Sequence, residues 1–163
     1  MKTLLLLRHA KSEWSEAGVP DFSRTLNNRG EKAALAIGNY ARKNLVRPDL
    51  ILCSPAERAR QTAALLIEAA GFTAELRFDE RIYEASWSRL LDIVQQLDVA
   101  PATVLMVGHN PGMEDLLLNL TGVNRHMATA AFARIELNVE SWAEAAPGGG
   151  RLDWLVKPKD LSD

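Results

Sequence analysis

Short apolar runs bounded by polar or turn-forming residues recur along the chain and predict six β-strands. We place these strands at residues 3–8, 50–53, 74–78, 104–108, 132–137 and 152–156. Runs of this length that are rich in leucine, isoleucine, valine and phenylalanine are typical of strands buried in a sheet. Three consecutive glycines at positions 148–150 precede the last run and predict a turn between the fifth and sixth strands.

A second pattern, in which apolar residues are spaced three and four positions apart, fills the intervals between strands and predicts helices. We place four helices at residues 29–44, 55–70, 86–97 and 111–120. Gly71 and Gly122 follow the second and fourth helices, at the position where a left-handed residue commonly ends a helix. Strands and helices therefore alternate along most of the chain.

The starts of the first two helices carry residues that are typical of helix caps. Asn27 or Asn28 supplies the cap of the first helix. Before the second helix, Ser54, Pro55 and Glu57 stand at the cap, first and third helical positions, which is the arrangement of a capping box. We therefore predict that the second helix begins immediately after Ser54.

The alternation of strands and helices predicts an α/β fold of three layers, with helices on both faces of a mostly parallel central sheet. The glycine turn near residue 148 predicts an antiparallel edge strand. Residues 10–28 form the longest stretch without periodicity, and because long loops in compact domains are usually functional, we expect this loop beside the functional site. The charged tail at residues 157–163 is expected to fray.

Length, charge and cysteine content limit the classes of function. The 163 residues have the size of one domain, so we treat residues 1–163 as a single unit. The formal net charge of −2 argues against general binding to nucleic acid or to a membrane surface. The lone cysteine, Cys53, excludes an internal disulfide. The four leucines at positions 4–7 are too few for a signal peptide, and no segment approaches the ~20 apolar residues of a membrane span, so we expect a cytoplasmic protein.

Two of the three histidines stand at the ends of predicted strands. Arg8 and His9 follow four leucines, and His109 follows the apolar run at 104–107. A third polar segment begins at Ser54, where the second strand ends. The carboxyl ends of parallel strands meet at one edge of a sheet, which is where ligands bind in open α/β proteins. Guanidinium groups and a helix N-terminus at that edge predict a site for a phosphoryl group.

Three short motifs occur in order along the chain. They are Arg8-His9, the segment Ser-Pro-Ala-Glu-Arg-Ala-Arg-Gln-Thr-Ala at residues 54–63, and Gly-His-Asn-Pro-Gly at residues 108–112. In order and spacing they resemble the motifs of the histidine phosphatase superfamily, which includes the phosphoglycerate mutases and acid phosphatases. The similarity extends from residue 4 to about residue 122.

Several features narrow the resemblance to one group within the superfamily. Ala10 follows Arg-His where most members carry glycine, and Lys11 comes next. The chain is short, and residues 21–30 read Asp-Phe-Ser-Arg-Thr-Leu-Asn-Asn-Arg-Gly. With these features the chain looks most like the SixA-type phosphohistidine phosphatases.

The resemblance implies a phosphoglycerate mutase-like fold and a mechanism that uses no metal and no cofactor. His9 would attack phosphorus as a neutral imidazole with one bare ring nitrogen, and would form a phosphohistidine intermediate. Arg8, Arg58 and His109 would hold the phosphoryl oxygens and stabilise the charge as it redistributes. Water would then discharge the intermediate.

Some of these assignments have rivals. Arg60 lies two residues after Arg58 and faces another side of the helix, and the Arg-Ala-x-Gln-Thr pattern favours Arg58. Ser12 and Asn110 are expected to contact substrate by analogy, although Asn110 equally suits a helix cap before Pro111. The histidines do not show metal-ligand spacing, so we predict no metal site.

The proton donor for the leaving group falls within residues 79–86, Asp-Glu-Arg-Ile-Tyr-Glu-Ala-Ser. An alkoxide leaving group needs a proton from a nearby carboxyl group. The family's leucine-x-glutamate pattern aligns with Ile82-Tyr83-Glu84 and selects Glu84, with Glu80 as the alternative. Imidazole is a far better leaving group than an alkoxide, so a phosphohistidine substrate would make this acid dispensable.

Three functions are compatible with the sequence. The leading hypothesis is a phosphatase that acts on phosphohistidine carried by a protein, because the short stretches between motifs leave no room for a large lid. The second is a phosphomonoesterase for small phosphate esters. The third is a non-catalytic module that binds phosphoproteins, and the presence of the nucleophile argues against it. The expected partner is a phosphorylated protein or a small phosphate, and the oligomeric state is open.

Overall fold

The computed structural model describes residues 1–14 and 17–161. Within these ranges the strands are β1 (Lys2–Arg8), β2 (Leu50–Cys53), β3 (Glu75–Phe78), β4 (Thr103–Gly108), β5 (Phe132–Leu137) and β6 (Gly150–Val156). The helices are α1 (Asn28–Lys43), α2 (Glu57–Ala70), α3 (Trp87–Gln95) and α4 (Gly112–Thr121). Every predicted strand and helix is confirmed, with ends that differ by at most two residues.

The strands form one sheet in the order β3-β2-β4-β1-β5-β6. The first four strands in this order run parallel to one another, whereas β5 pairs antiparallel with both β1 and β6. The predicted mostly parallel α/β sheet is therefore confirmed. The strand that runs opposite to the others is β5, which lies next to the edge strand β6. The chain reverses direction again after β5, so β6 runs in the same direction as β1.

The central strand β1 is buried on both faces of the sheet. Leu4 and Leu6 pack in a hydrophobic cluster with α3 and α4, and Leu5 and Leu7 pack in a second cluster with α1 and α2. All four leucines have no exposed surface, and burial of one leucine stabilises a fold by about 1.5–3 kcal/mol. Two helices thus cover each face, and the carboxyl ends of β1, β2 and β4 meet at one edge of the sheet.

The ends of several helices match the expectations from the sequence. Asn27 caps α1, because its side chain accepts a hydrogen bond from the Gly30 N–H at 2.8 Å. Gly71 and Gly122 follow α2 and α4 with φ angles of 73° and 76°, which is the left-handed conformation that glycine adopts readily. These residues therefore define the helix boundaries.

The predicted capping box at the start of α2 is wrong. The helix begins at Glu57, with Ala56 at the cap position and no side-chain cap. The Ser54 hydroxyl instead accepts from the Ala56 N–H at 3.2 Å and bonds His109 across the sheet. Because the hydroxyl is held by these two groups, residues 54–56 form a bend before the helix starts.

The segment at residues 10–28 is the long loop that was expected beside the functional site. Its described part contains a 3₁₀ turn at Asp21–Ser23 and an isolated antiparallel bridge between Ser12 and Leu26. The tail forms a 3₁₀ turn at Pro158–Asp160. Residues 162 and 163 lie outside the described residues, so fraying of the tail stays a prediction.

Candidate active site

The two motif histidines lie side by side at the carboxyl ends of neighbouring parallel strands. Arg8 of β1 stands opposite Gly108 of β4, and His9 and His109 are the next residues of their chains. The His9 N–H donates to the Gly108 carbonyl at 3.0 Å. The centroids of the two imidazole rings are 5.2 Å apart, and each residue is only 7% exposed. The structure therefore brings these residues together as the strand pattern predicts.

The hydrogen bonds of His9 define which ring nitrogen carries its proton. Nδ1 lies 2.7 Å from the Ala10 carbonyl oxygen, which can only accept, so Nδ1 is the protonated nitrogen. Nε2 accepts from the Arg58 Nε–H at 3.3 Å. A guanidinium group can only donate, so this contact requires a lone pair on Nε2. His9 is therefore a neutral imidazole whose bare Nε2 faces Arg58.

Arg58 is held in place by the loop that precedes α1. Its Nη1 donates to the Asp21 carbonyl oxygen at 2.8 Å, and its Nη2 donates to Asp21 Oδ2 at 3.1 Å. The Thr62 hydroxyl donates to the Arg58 carbonyl at 2.7 Å and accepts from the Ala10 N–H at 2.9 Å, which ties α2 to the turn after His9. Arg58 is 5% exposed, so its guanidinium has a defined orientation.

Asp21 is a site residue that the sequence reasoning did not identify. Its carboxylate accepts hydrogen bonds from Arg58 and from the Tyr83 hydroxyl at 2.6 Å, and it forms an ion pair with Arg24, whose Nε lies 3.1 Å from Oδ1. The Tyr83 hydrogen bond, followed by the positive charge of Arg58, lowers the pKa of Asp21. The only available signal was its position in the aperiodic loop, in a segment that supported the family resemblance.

His109 presents one ring nitrogen to the site. Its Nε2 lies 2.7 Å from the Ser54 hydroxyl. That hydroxyl accepts from the Ala56 N–H and keeps one hydrogen that it can donate to Nε2, and in that arrangement the proton of neutral His109 is on Nδ1. Nδ1 is buried and has no hydrogen-bond partner among the described residues. In that arrangement Nδ1–H is a buried donor that is available to an anion.

Arg8 offers a second buried donor without a partner. Its Nη1 donates to the Met127 carbonyl at 3.1 Å, while its Nε is buried and unpaired within the described part of the chain. Burial lowers the pKa of Arg8, and the nearby Glu114 carboxylate opposes that effect. A buried polar group normally has a partner. Together with Nδ1 of His109, this donor indicates a site that is completed by an anion.

Burial controls the protonation of both histidines. Loss of solvation lowers the pKa of His9 to about 4, and the neighbouring positive charge of Arg58 adds to the effect. Loss of solvation also lowers the pKa of His109 to about 3, with contributions from His9 and Arg58. Both imidazoles are therefore neutral at physiological pH, which is the state a nucleophilic histidine requires.

We predict that NMR titration of the free protein will find both histidines neutral down to pH 5. The signal of each histidine is assigned by its loss in His9→Gln or His109→Gln. The titration midpoints should be about 4 for His9 and about 3 for His109. In the unfolded chain these groups take up protons near pH 6.5. The free energy of unfolding must therefore fall as pH drops from about 6.5 toward the lower pKa values of the folded state. Circular dichroism at each pH therefore has to confirm folding. A midpoint near 6.5 for either residue in folded protein would contradict the prediction.

Glu84, the predicted acid, lies at the rim of this site. Its side chain is exposed, and its backbone has a φ of 53°. Burial raises the pKa of Tyr83, and the Asp21 hydrogen bond and the Glu84 carboxylate add to this effect. The Tyr83 ring packs edge-on against His109, with centroids 5.5 Å apart. Glu80 is also exposed, in the preceding 3₁₀ turn, so the choice of Glu84 over Glu80 stays a prediction.

Asn110 and Ser12, the other predicted contacts, lie in structural roles. The Asn110 amide donates to the Met127 carbonyl and to Glu114 Oε2, each at 2.9 Å, and its Oδ1 accepts from the Glu114 N–H at 3.3 Å. Asn110 therefore joins the start of α4 to the loop that receives Arg8. Ser12 forms the bridge with Leu26 and is partly exposed.

Two further properties of the described residues bear on chemistry. They contain no group of three or more histidines, cysteines or carboxylates placed to hold a metal ion. In the same residues, no helix combines the length and the apolar character that crossing a membrane demands. Cys53 is buried, and loss of solvation raises the pKa of its thiol to about 12, so it is not a reactive thiolate.

Comparison with known proteins identifies the family. The model of the histidine phosphatase superfamily (branch 1) matches residues 4–98. An uncharacterised protein of Mycobacterium tuberculosis is 35% identical over 94% of this chain and 100% of its own length. Two solved structures named as candidate SixA phosphohistidine phosphatases share the fold with a TM-score of 0.84. The one from Nakamurella multipartitia is 31% identical and covers 96% of each chain, and the one from Agrobacterium tumefaciens is 29% identical and covers 96% and 98%. The chain therefore belongs to the histidine phosphatase superfamily.

Proposed function

We propose that the protein hydrolyses phosphohistidine carried by a protein, through a covalent phosphohistidine intermediate on His9. The observation that carries this proposal is the state of His9, a neutral imidazole whose Nδ1 is bound to the Ala10 carbonyl and whose bare Nε2 faces Arg58. A nucleophile in this state can attack phosphorus without first losing a proton.

In the first step, the hydrogen bond from Arg58 Nε to His9 Nε2 breaks, and the freed lone pair of Nε2 forms a bond to phosphorus. The P–N bond of the substrate breaks, and its electron pair goes to the departing imidazole nitrogen, which takes up a proton. In the second step, the oxygen of a water molecule forms a bond to phosphorus, the P–Nε2 bond breaks, and its electron pair returns to His9. Inorganic phosphate leaves, and the proton released by water balances the one taken up by the departing imidazole.

We assign Arg8, Arg58 and His109 to binding the oxygens of the phosphoryl group. The buried Nε of Arg8 and Nδ1 of His109 are donors without partners, and Arg58 already points at the nucleophile. Donors fixed before the reaction stabilise charge on equatorial oxygens without reorganising. The Asn110 amide is bound within the protein and positions the segment that holds Arg8, and substrate contact by Asn110 and Ser12 stays a prediction.

The choice of phosphohistidine is supported by relatives and by the connections of the fold. The two candidate SixA proteins share the fold over nearly the whole chain at about 30% identity. Among the described connections near the site, residues 54–56 and 109–111 are short, and the longer ones are the loop that carries Asp21 and residues 79–86 and 122–131. A site without a large insertion over it suits a phosphorylated side chain on a protein surface. The lone buried Cys53 is compatible with a reducing cytoplasmic setting, which is part of the proposal.

The proposal is tested by a substrate panel. We expect kcat/KM for a phosphohistidine protein to exceed that for phosphoserine, p-nitrophenyl phosphate and 3-phosphoglycerate by at least about 100-fold, because only the first substrate has a leaving group that needs no acid. Phosphate release is measured at neutral to alkaline pH, where phosphohistidine is stable. Equal or higher kcat/KM for a small ester would overturn the assignment.

A small-molecule phosphomonoesterase is a second candidate, and the placement of Glu84 favours it. A carboxyl group at the rim of the site could protonate an alkoxide leaving group. The left-handed φ of 53° at this non-glycine residue costs about 1–2 kcal/mol. Strain of this kind is concentrated at functional sites.

We predict that Glu84→Gln separates these two candidates. If the leaving group is an alkoxide, loss of the acid should lower kcat for esters by about 10²–10⁴-fold. Hydrolysis of phosphohistidine should change by less than about threefold, because imidazole needs no such acid. Glu80→Gln is the matched control, an exposed glutamate four residues earlier that should change neither rate. A large loss of phosphohistidine hydrolysis in Glu84→Gln would show that the acid is required there too.

A further inference from the structure

A wide groove on the surface collects positive charge that the net composition does not predict. We call it the basic groove, and its cationic lining is Lys11, Arg29, Lys32, Arg125, Lys157 and Lys159. These are six of the 19 lysines and arginines of a chain whose net charge is −2. No aspartate or glutamate lines the groove, which has a volume of about 760 Å³. The local charge is therefore opposite to that of the whole molecule.

Most of these cationic side chains do not pair with other groups of the described chain. Lys157 lies 4.0 Å from Asp160, whereas the other five side chains form no ion pair or hydrogen bond with the rest of the described chain. All six are exposed. Like charges gathered without counter-charges repel one another and destabilise a compact state. Such a cluster is explained when a ligand supplies the missing negative charge.

The groove is continuous with the catalytic edge of the sheet. Lys11 is two residues after His9, so their Cα atoms are at most about 7 Å apart. The N-terminus of α1 packs directly on this segment: a Cβ on Gly30 would lie 2.0 Å from the Lys11 carbonyl oxygen, so only glycine fits there. On the other side, Arg125 is two residues before Met127, whose carbonyl accepts from Arg8. The groove therefore borders the catalytic edge, beside a protein substrate whose phosphoryl group is bound at His9.

We propose that the basic groove docks an acidic protein face beside the phosphohistidine of the substrate. This inference rests on the proposed function and names the kind of partner that the same site accepts. The lining between the cations is mostly apolar, and it consists of Ala33, Ala36, Ala128, Pro158 and Leu161 together with His126 and Thr129. An apolar floor with a charged rim is the arrangement of a protein interface. Acidic residues of the partner complement the rim, accelerate encounter and fix the orientation of the substrate.

The form of the groove favours a protein over a small polyphosphate. Sites for small phosphates use buried, fixed donors such as backbone N–H groups and bidentate arginines. The cations of the groove are exposed and stand at the ends of long flexible side chains, spread over α1, the loop before β5 and the C-terminal segment. A broad acidic face can contact charges distributed in this way.

The test compares two peptides that carry the same phosphohistidine, one with four flanking glutamates and one with four glutamines, together with free phosphohistidine. We expect wild-type kcat/KM to be at least tenfold higher for the glutamate peptide at 20 mM salt. The preference should shrink at 500 mM salt, because screening weakens exposed charge pairs. Lys32→Glu combined with Arg125→Glu should abolish the preference and leave free phosphohistidine hydrolysis within twofold of wild type.

The control pair is Lys43→Glu with Arg47→Glu. These substitutions make the same change of charge at two exposed positions, one at the C-terminal end of α1 and one four residues after it. It should keep the preference for the glutamate peptide. The inference is overturned if wild type does not distinguish the peptides, or if both pairs lose the preference equally. Inhibition by inorganic tripolyphosphate that the groove pair abolishes, without a peptide preference, would assign the groove to small polyphosphates instead. Failure to cleave free phosphohistidine and both peptides would reject the proposed function, and the groove assignment with it.

Discussion

The His9→Ala protein is expected to lose at least about 10⁴-fold in kcat for phosphohistidine and to form no phosphorylated enzyme. The methyl group cannot accept a phosphoryl group, so the covalent step has no route. Removing a nucleophile abolishes the step itself, and the remaining groups then provide only binding and charge stabilisation. Arg8, Arg58 and His109 are still present in this variant, so binding of inorganic phosphate should persist.

Two measurements separate loss of chemistry from loss of structure. Enzyme mixed with ³²P-labelled phosphohistidine is quenched in alkaline detergent, since acid would break a P–N bond, and label on the protein is counted. Wild type and His126→Ala, which lacks an exposed histidine outside the cluster, should both be labelled. His9→Ala should carry no label but should bind phosphate in calorimetry. Label retained in His9→Ala would contradict the nucleophile assignment, and loss of both label and phosphate binding would point to a misfolded site.

The parts of the site that could be predicted from sequence are those that strand ends determine. Arg8-His9 and His109 follow apolar runs, and parallel strands align their carboxyl ends, so their convergence needs only the order of the strands. Arg58 could be chosen over Arg60 from the motif in the first turn of α2. The structure supports this choice with a direct contact, a hydrogen bond from Arg58 Nε to His9 Nε2 at 3.3 Å.

The parts that sequence could not predict depend on contacts between distant segments. Asp21 lies 37 residues from Arg58, in a loop without periodicity, and only the folded chain places its carboxylate on the guanidinium. Ser54 was assigned to a capping box because local spacing fits one. A hydrogen bond to His109, 55 residues away, holds the hydroxyl elsewhere. Rules based on local spacing fail for Ser54 because its competing partner, His109, follows a different strand.

These contacts make the orientation of Arg58 a property of the whole site. Its guanidinium binds His9 through Nε and Asp21 through Nη1 and Nη2, so three of its five N–H groups have identified acceptors. Asp21 in turn is held by the Tyr83 hydroxyl, whose ring packs on His109. A chain of contacts therefore joins the two histidines through the loop, and a change at Arg58 affects both.

We predict that Arg58→Lys lowers kcat/KM for phosphohistidine by about 10²–10³-fold although the positive charge is kept. An ammonium group is a single point donor, whereas the planar guanidinium reaches His9 and Asp21 at once with fixed geometry. The lysine cannot keep both contacts, so the nucleophile loses its neighbour and the Asp21 carboxylate is left facing the incoming phosphate. Steady-state kinetics with free phosphohistidine measure the effect without any contribution from docking.

Arg60→Lys is the matched control, since Arg60 lies on the same helix two residues further on. Its guanidinium lies over the Phe78 ring at 4.3 Å and 4.0 Å from Glu57, on a face of α2 that does not meet His9. It should change kcat/KM by less than about twofold. If only the charge of Arg58 contributed to catalysis, Arg58→Lys would also leave kcat/KM nearly unchanged. That result would contradict the assignment of a geometric role to Arg58. Equal losses in both variants, with unchanged thermal unfolding, would instead reject the assignment of Arg58 over Arg60.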